Sequence, residues 1–148
     1  MFNPTRILVP TDMSEHSDRA IRRAFDIARQ FMADVCILHV VNDPVQLCTL
    51  DFCVSEEILG QFRSHLLEQA RAAVHNQVGR FVSMGSVNLN TEVRIGVPHE
   101  TILKAAEEKG ADLIIIAPHG MTNFSKHLMG SVARHVLLGA ECQVLVVK

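Results

Sequence analysis

The chain alternates between short runs of branched apolar residues and longer stretches whose apolar positions recur every three or four residues. RILVP at 6–10, VCILHVV at 35–41, LIII at 113–116 and VLVV at 144–147 are nearly continuous apolar runs, without the in-out alternation of a strand that is wet on one side. NTEVRIGVP at 90–98 is a fifth strand of mixed pattern. Between the first two runs, SEHSDRAIRRAFDIARQFMAD places Ala20, Ile21, Ala24, Phe25, Ala28, Phe31 and Met32 on one helical face, and Ser14 or Asp12 can cap its start. Ser55 precedes a second amphipathic helix with Ile58, Leu59, Phe62, Leu66, Ala70, Ala73 and Val74 on one side, fading between Gly79 and Gly85. HETILKAAEEKG is a third helix, closed by Gly110 just past its last turn. GSVARHVLL is a fourth, starting near Gly130, with Ala133, Val136 and Leu137 as its apolar stripe. The segment from Asn42 to Ser55, which contains Pro44, is the longest irregular stretch and is predicted to be a mobile loop.

The resulting order, β-α-β-α-β-α-β-α-β, predicts an α/β fold: three layers, with an open, parallel, five-stranded sheet covered by helices on both faces. No internal repeat, low-complexity tract or linker interrupts it, so residues 1–148 are predicted to form a single domain. Apolar residues at 48% and charged residues at 20% exclude a disordered chain. A net charge of −2 offers nucleic-acid phosphates no attraction, so no nucleic-acid partner is expected. No apolar run approaches the roughly 20 residues of a membrane helix, so no membrane partner is expected either. The opening MFNPTRILVPTD has no basic region followed by an apolar core, and the expected location is cytoplasmic. Cys36 and Cys142 fall in strands and read as small buried hydrophobes; Cys48 and Cys53 lie in the loop without the paired spacing of a zinc site.

In an open parallel sheet, ligands bind beyond the carboxyl ends of the strands, where strand order reverses. Two features stand there. The first is APHGMTNFSKHLMGSV, where Pro118, Gly120, Thr122, Asn123, Ser125, Gly130 and Ser131 occupy a connection that a plain helix could have made. Small residues let backbone approach a ligand, and unpaired N–H groups at the helix start near Gly130 make an anion site. Phosphate is the reading; an ordinary connection whose glycines only make turns is the alternative. The second feature is Asp12, which can accept hydrogen bonds from ribose hydroxyls, help hold a metal ion, or simply cap the first helix. No Walker loop is present, and TDMSEHSD after the first strand lacks the glycines of a dinucleotide fingerprint.

With ILVPTDMSEHSDRAI at the start, ILHVV after the second strand, GVPHETILKAAEEKGADLIIIAPHG in the middle and GMTNFSKHLMGSVARHVLLGAECQVLVVK at the end, the chain resembles the universal stress protein family over essentially its whole length. That resemblance implies an adenine nucleotide alpha hydrolase-like, Rossmann-like fold with strand order 3-2-1-4-5. It also implies a cytoplasmic homodimer joined through the C-terminal edge strand, and binding of ATP, ADP or AMP, with Mg2+ as a possible companion. The family's nucleotide-binding frame, Gly-x2-Gly-x9-Gly-Ser/Thr, is met by Ala117, Gly120, Gly130 and Ser131. Ala117 stands where the frame has glycine, and Pro118 removes an N–H donor.

Carried over by position, Pro10, Thr11 and Val40 line the adenine pocket and Asp12 touches the ribose. Gly120, Met121, Thr122 and Asn123 wrap the phosphates, and Gly130, Ser131 and Val132 present N–H groups to them. His119 either touches phosphate or holds the loop by a hydrogen bond. His39 reads as a satisfied, half-buried histidine, His127 and His135 as surface, and Met129 as either covering the base or packing. Three functions are carried forward. One is a nucleotide-binding regulatory or stress-response protein, another a weak ATPase or self-phosphorylating protein, and the third a dimeric interaction module with an empty pocket. Phosphoryl transfer needs cationic groups on the leaving oxygens and an oriented nucleophile. No arginine lies in the loop, so no catalytic residue and no metal site is assigned.

Overall fold

The computed structural model describes residues 1–47, 55–120 and 128–148. Five strands, β1 (Arg6–Pro10), β2 (Asp34–Val41), β3 (Leu89–Ile95), β4 (Leu113–Ile116) and β5 (Gln143–Val146), form one sheet. The four helices are α1 (Glu15–Phe31), α2 (Glu56–Gly79), α3 (Pro98–Lys109) and α4 (Ser131–Gly139). All four pairings are parallel, in the order β3-β2-β1-β4-β5. Parallel neighbours require crossovers, and the alternation of strand and helix supplies them.

The uninterrupted apolar runs are explained by two dry faces. On one, Ile7, Val9, Val35, Ile37, Leu113 and Ile115 pack against α1 and the second half of α2. On the other, Leu8, Leu38, Ile114 and Ile116 pack against α3 and α4 through Ile102, Ala105, Ala106, Ala133 and Val136. Each fully buried Ile, Leu or Phe contributes roughly 1.5–3 kcal/mol relative to exposure, so β1 and β4, buried throughout their shared length, anchor the fold.

Two predicted apolar faces reach further than the core does. Met32 is not part of the α1 stripe: it ends the helix with φ 55° and is 92% exposed. In α2, Ala70 and Val74 are buried, but Ile58 and Phe62 are 57% and 48% exposed, and Ala73 faces solvent. Length is the reason. Twenty-four helical residues extend about 36 Å, while the seven of β3 extend about 23 Å, so the first half of α2 overhangs the sheet. Leu137 likewise turns outward from α4, leaving Ala133 and Val136 as its buried pair. Within the predicted loop, Pro44–Leu47 form a single 3-10 turn; residues 48–54, including Cys48 and Cys53, lie outside the described part. Cys36 and Cys142 are free and half-buried, and burial pushes both thiols up. Among the described residues no helix is long and apolar enough to cross a membrane.

Candidate functional site

β1 and β4 are neighbours, yet the chain leaves them toward opposite faces, to α1 from one and to α4 from the other. A crevice opens beyond their carboxyl ends, as strand reversal requires. It holds a cavity of about 590 Å3, within the range of about 300–1,000 Å3 usual for small-molecule sites. Pro10, Thr11 and Asp12 enter it from the end of β1, and Ala117, Pro118, His119 and Gly120 from the end of β4. Val40 lines it from β2, and Gly130, Ser131 and Val132 from the start of α4. The structure thus gathers ten of the thirteen predicted site residues around one space; Met121, Thr122 and Asn123 lie outside the described residues.

The turn after β1 is built on side chains that bond their own backbone. Ser14 is the cap of α1, its hydroxyl accepting the Ser17 N–H at 3.2 Å. Asp12 does not cap the helix: its Oδ1 accepts the Ser14 N–H at 3.0 Å, an Asx turn that aims the carboxylate at the cavity. Thr11 divides its groups between two environments. Its hydroxyl points through the sheet layer into a buried network, donating to Gln77 Oε1 at 2.7 Å, while Gln77 Nε2 donates to Asp18 at 2.8 Å. Its carbonyl lies 2.7 Å from His39 Nδ1, so His39 is indeed satisfied and half-buried. Because a carbonyl only accepts, that nitrogen carries the ring proton.

The far bank is closed by the main chain. Gly130 precedes α4 in extended conformation, and its N–H donates to the Pro118 carbonyl at 2.7 Å. Gly130 therefore does not offer its own N–H to a ligand, contrary to expectation. The first bond of the α4 ladder runs from the Arg134 N–H to the Gly130 carbonyl, which leaves the N–H groups of Ser131, Val132 and Ala133 without helical partners at the cavity wall. Pro118, whose missing N–H looked like a loss, contributes the acceptor that fixes the start of this helix. His135 is a surface residue, as expected, with Nδ1 2.6 Å from the Ser131 carbonyl.

Sequence reasoning missed the apolar wall. Leu38, Ile102 and Ile116 line the cavity while belonging to the core beneath it, and nothing in their periodicity separates the two roles. Asn42, just after β2, also lines it, as does Pro98 beyond the end of β3, where strand-end position does point to a site. Met129 faces the cavity as well. Among the described residues, apolar side chains thus share the cavity with N–H groups that lack helical partners and one carboxylate, chemistry that suits an apolar ring and an anion together.

The sequence model described as the universal stress protein family matches residues 4–148. The chain belongs to the universal stress protein family. Universal stress protein MJ0531 of Methanocaldococcus jannaschii is 36% identical to it over 143 residues, covering 97% of this chain and 81% of that protein. The structure of the universal stress protein UspA from Lactobacillus plantarum matches with a TM-score of 0.83 at 28% identity, over 100% of both chains. A universal stress protein solved in complex with cAMP shares the fold, with a TM-score of 0.70 at 22% identity over 99% of this chain and 98% of that one. The five-stranded parallel sheet of this universal stress protein, in the order 3-2-1-4-5, is the one its resemblance implied.

Proposed function

We propose that this universal stress protein is a single domain over residues 1–148 that binds an adenine nucleotide, ATP or AMP, in the crevice between β1 and β4, and acts as a small dimeric regulator in the stress response. The observation that carries this reading is the start of α4, where the N–H groups of Ser131, Val132 and Ala133 face a cavity already bounded by Asp12 and an apolar wall. Helix-start N–H groups together with the helix dipole favour a phosphate. Val40, Ile102 and Pro98 give adenine apolar contact, and Asp12 accepts from the ribose hydroxyls. Met121, Thr122 and Asn123 belong to the proposed phosphate wrap by their place in the motif. Asp12 is the one carboxylate lining the cavity among the described residues, so any Mg2+ would arrive on the nucleotide phosphates. The cAMP complex, at 22% identity, speaks for the architecture, and the ligand is argued from the cavity.

The two sheet edges differ in a way that favours dimerisation through β5. On β3, Glu92 and Arg94 pair with each other, with Lys109 and with Glu108, a charged margin that discourages strand addition. β5 carries Val144, Leu145 and Val146 at its open edge, with the exposed Leu137 and Leu138 of α4 nearby in the chain. Pairing of two β5 strands across a twofold axis covers that edge.

The test is direct. Small molecules released by denaturing the purified protein are identified by mass spectrometry, and AMP and ATP are titrated by calorimetry with and without Mg2+. An adenine nucleotide has roughly 30 non-hydrogen atoms, so at about 0.3 kcal/mol per atom the ceiling is near −9 kcal/mol, a sub-micromolar to micromolar Kd. No released nucleotide and no heat up to millimolar ligand would overturn the reading.

A further inference from the structure

Among the described residues lining the cavity there is no lysine or arginine; the ionisable ones are Asp12, His39 and His119. The start of α4 supplies only about half a unit of positive charge. His39 holds its ring proton toward the Thr11 carbonyl, 2.7 Å away.

His119 is differently placed. It stands between Pro118, whose carbonyl fixes the start of α4, and Gly120, which abuts the Asp12 carboxylate. Among the described residues its ring makes no hydrogen bond, and its ring neighbour is His16 in the first turn of α1. The two centroids are 5.8 Å apart with the planes at 70°, an edge-to-face pair of which His119 lines the cavity. Among the described residues that line the cavity the other elements add no cation; Arg19, one turn beyond His16 on α1, is exposed, and Lys126 lies outside the described residues. α3 lines the cavity with Pro98 and Ile102, and the α4 residues that line it, Gly130 to Ala133, do not titrate. On α1, Glu15 is exposed and Asp18 is bound to Gln77 and Arg80.

We infer that His16 and His119 form a proton-accepting pair that supplies a cation at the phosphate end, so that nucleotide and proton are taken up together. The inference rests on the nucleotide reading above. Imidazole is the side chain whose charge changes between pH 5 and 8, and a phosphate beside it favours the charged ring. A phosphate docked beside the pair therefore draws a proton onto it from the buffer.

The probes are AMP and adenosine, titrated by calorimetry at pH 6.0 and 8.0 in buffers of different ionisation enthalpy. The wild-type chain is expected to bind AMP about tenfold more tightly at pH 6.0, with proton uptake, while adenosine, which lacks the phosphate, shows no such gain. The AMP phosphate itself titrates near pH 6, but that contribution is common to every variant. His119→Gln and His16→Gln, made separately so that one remains if the other misfolds, are each expected to cut the pH 6.0 to 8.0 ratio to below about twofold. A wild-type ratio near one, a ratio unchanged in the variants, or an adenosine gain as steep as that of AMP would each overturn the pair while leaving nucleotide binding in place. No AMP binding at either pH would overturn the nucleotide reading itself, and the pair with it.

Discussion

A Cβ placed on Gly120 would stand 2.5 Å from Oδ2 of Asp12, closer than any real methyl sits to an oxygen. The ends of β1 and β4 are thus in contact through a backbone on one side and a carboxylate on the other. Asp12 cannot swing away freely, because its Oδ1 accepts the Ser14 N–H. Gly120→Ala is therefore expected to cost about 1–3 kcal/mol of folding stability and to weaken AMP binding at least about tenfold. Urea denaturation and calorimetry on the same preparation check both numbers. Wild-type affinity in that variant would mean that this close approach plays no part in the site.

The buried Gln77 ties the floor of the cavity to α2. Gln77→Leu removes the 2.7 Å acceptor of the Thr11 hydroxyl and a donor to Asp18; with Ser17 Oγ 3.0 Å from the Thr11 hydroxyl and Arg80 still on Asp18, the expected cost is about 1 kcal/mol. Removing both partners in Thr11→Val/Gln77→Leu is expected to cost less than the sum of the two single changes, by at least about 0.5 kcal/mol. Denaturation midpoints of the three variants measure that coupling, and strict additivity would remove the network from the account.

At the opposite end of the sheet, Asp112 accepts the Thr5 hydroxyl at 2.6 Å, the Thr5 N–H at 2.9 Å and the Arg6 N–H at 3.1 Å. Burial raises the carboxyl, but these hydrogen bonds outweigh it and hold the group below its ordinary value of 3.8. A carboxyl depressed in the folded state stabilises the protein above the unfolded value, and that stability is lost as pH falls through the folded one. Asp112→Asn should therefore cost about 1 kcal/mol at pH 7, an amount limited by solvent screening. The cost should shrink as pH drops below about 4. Thermal melts of both proteins from pH 7 to pH 3 would show a constant gap if the carboxylate were irrelevant.

Val147 donates its N–H to the Ile116 carbonyl, so in the parallel ladder the N–H of Val146 points away from β4. Proline is tolerated on an edge strand where the lost N–H faces outward. Val146→Pro is expected to convert the proposed dimer into a folded monomer. Light scattering coupled to size exclusion reads the mass, and a dimer that survives the substitution places the interface elsewhere.

The residues alone disclosed the element order and the parallel sheet, because LIII and VLVV admit no wet face. Gly110 could be placed at the end of α3 because a residue with φ 60° just past a helix is most easily glycine. Strand order came with the family resemblance, since no local pattern says which strand lies beside which. Ile58 and Phe62 misled because periodicity reports which side of a helix is apolar and says nothing of how far its partner surface extends. Ile102 and Leu38 were hidden for the converse reason, serving as core and as cavity wall with one side chain each. Gly130 was correctly placed at the start of α4, but the use of its N–H depended on where the Pro118 carbonyl would lie, a distance no spacing encodes. The contact between His16 and His119 likewise exists only once α1 and the β4 end are folded together.

The strands whose ends meet at the cavity, β1 and β4, sit inside the sheet, each with a strand on both flanks. On the proposed reading, the ligand site and the dimer contact are consequently written on separate parts of the same framework. A lineage could exchange one margin for a new docking edge, or fuse a second copy there, without redrawing the central hollow.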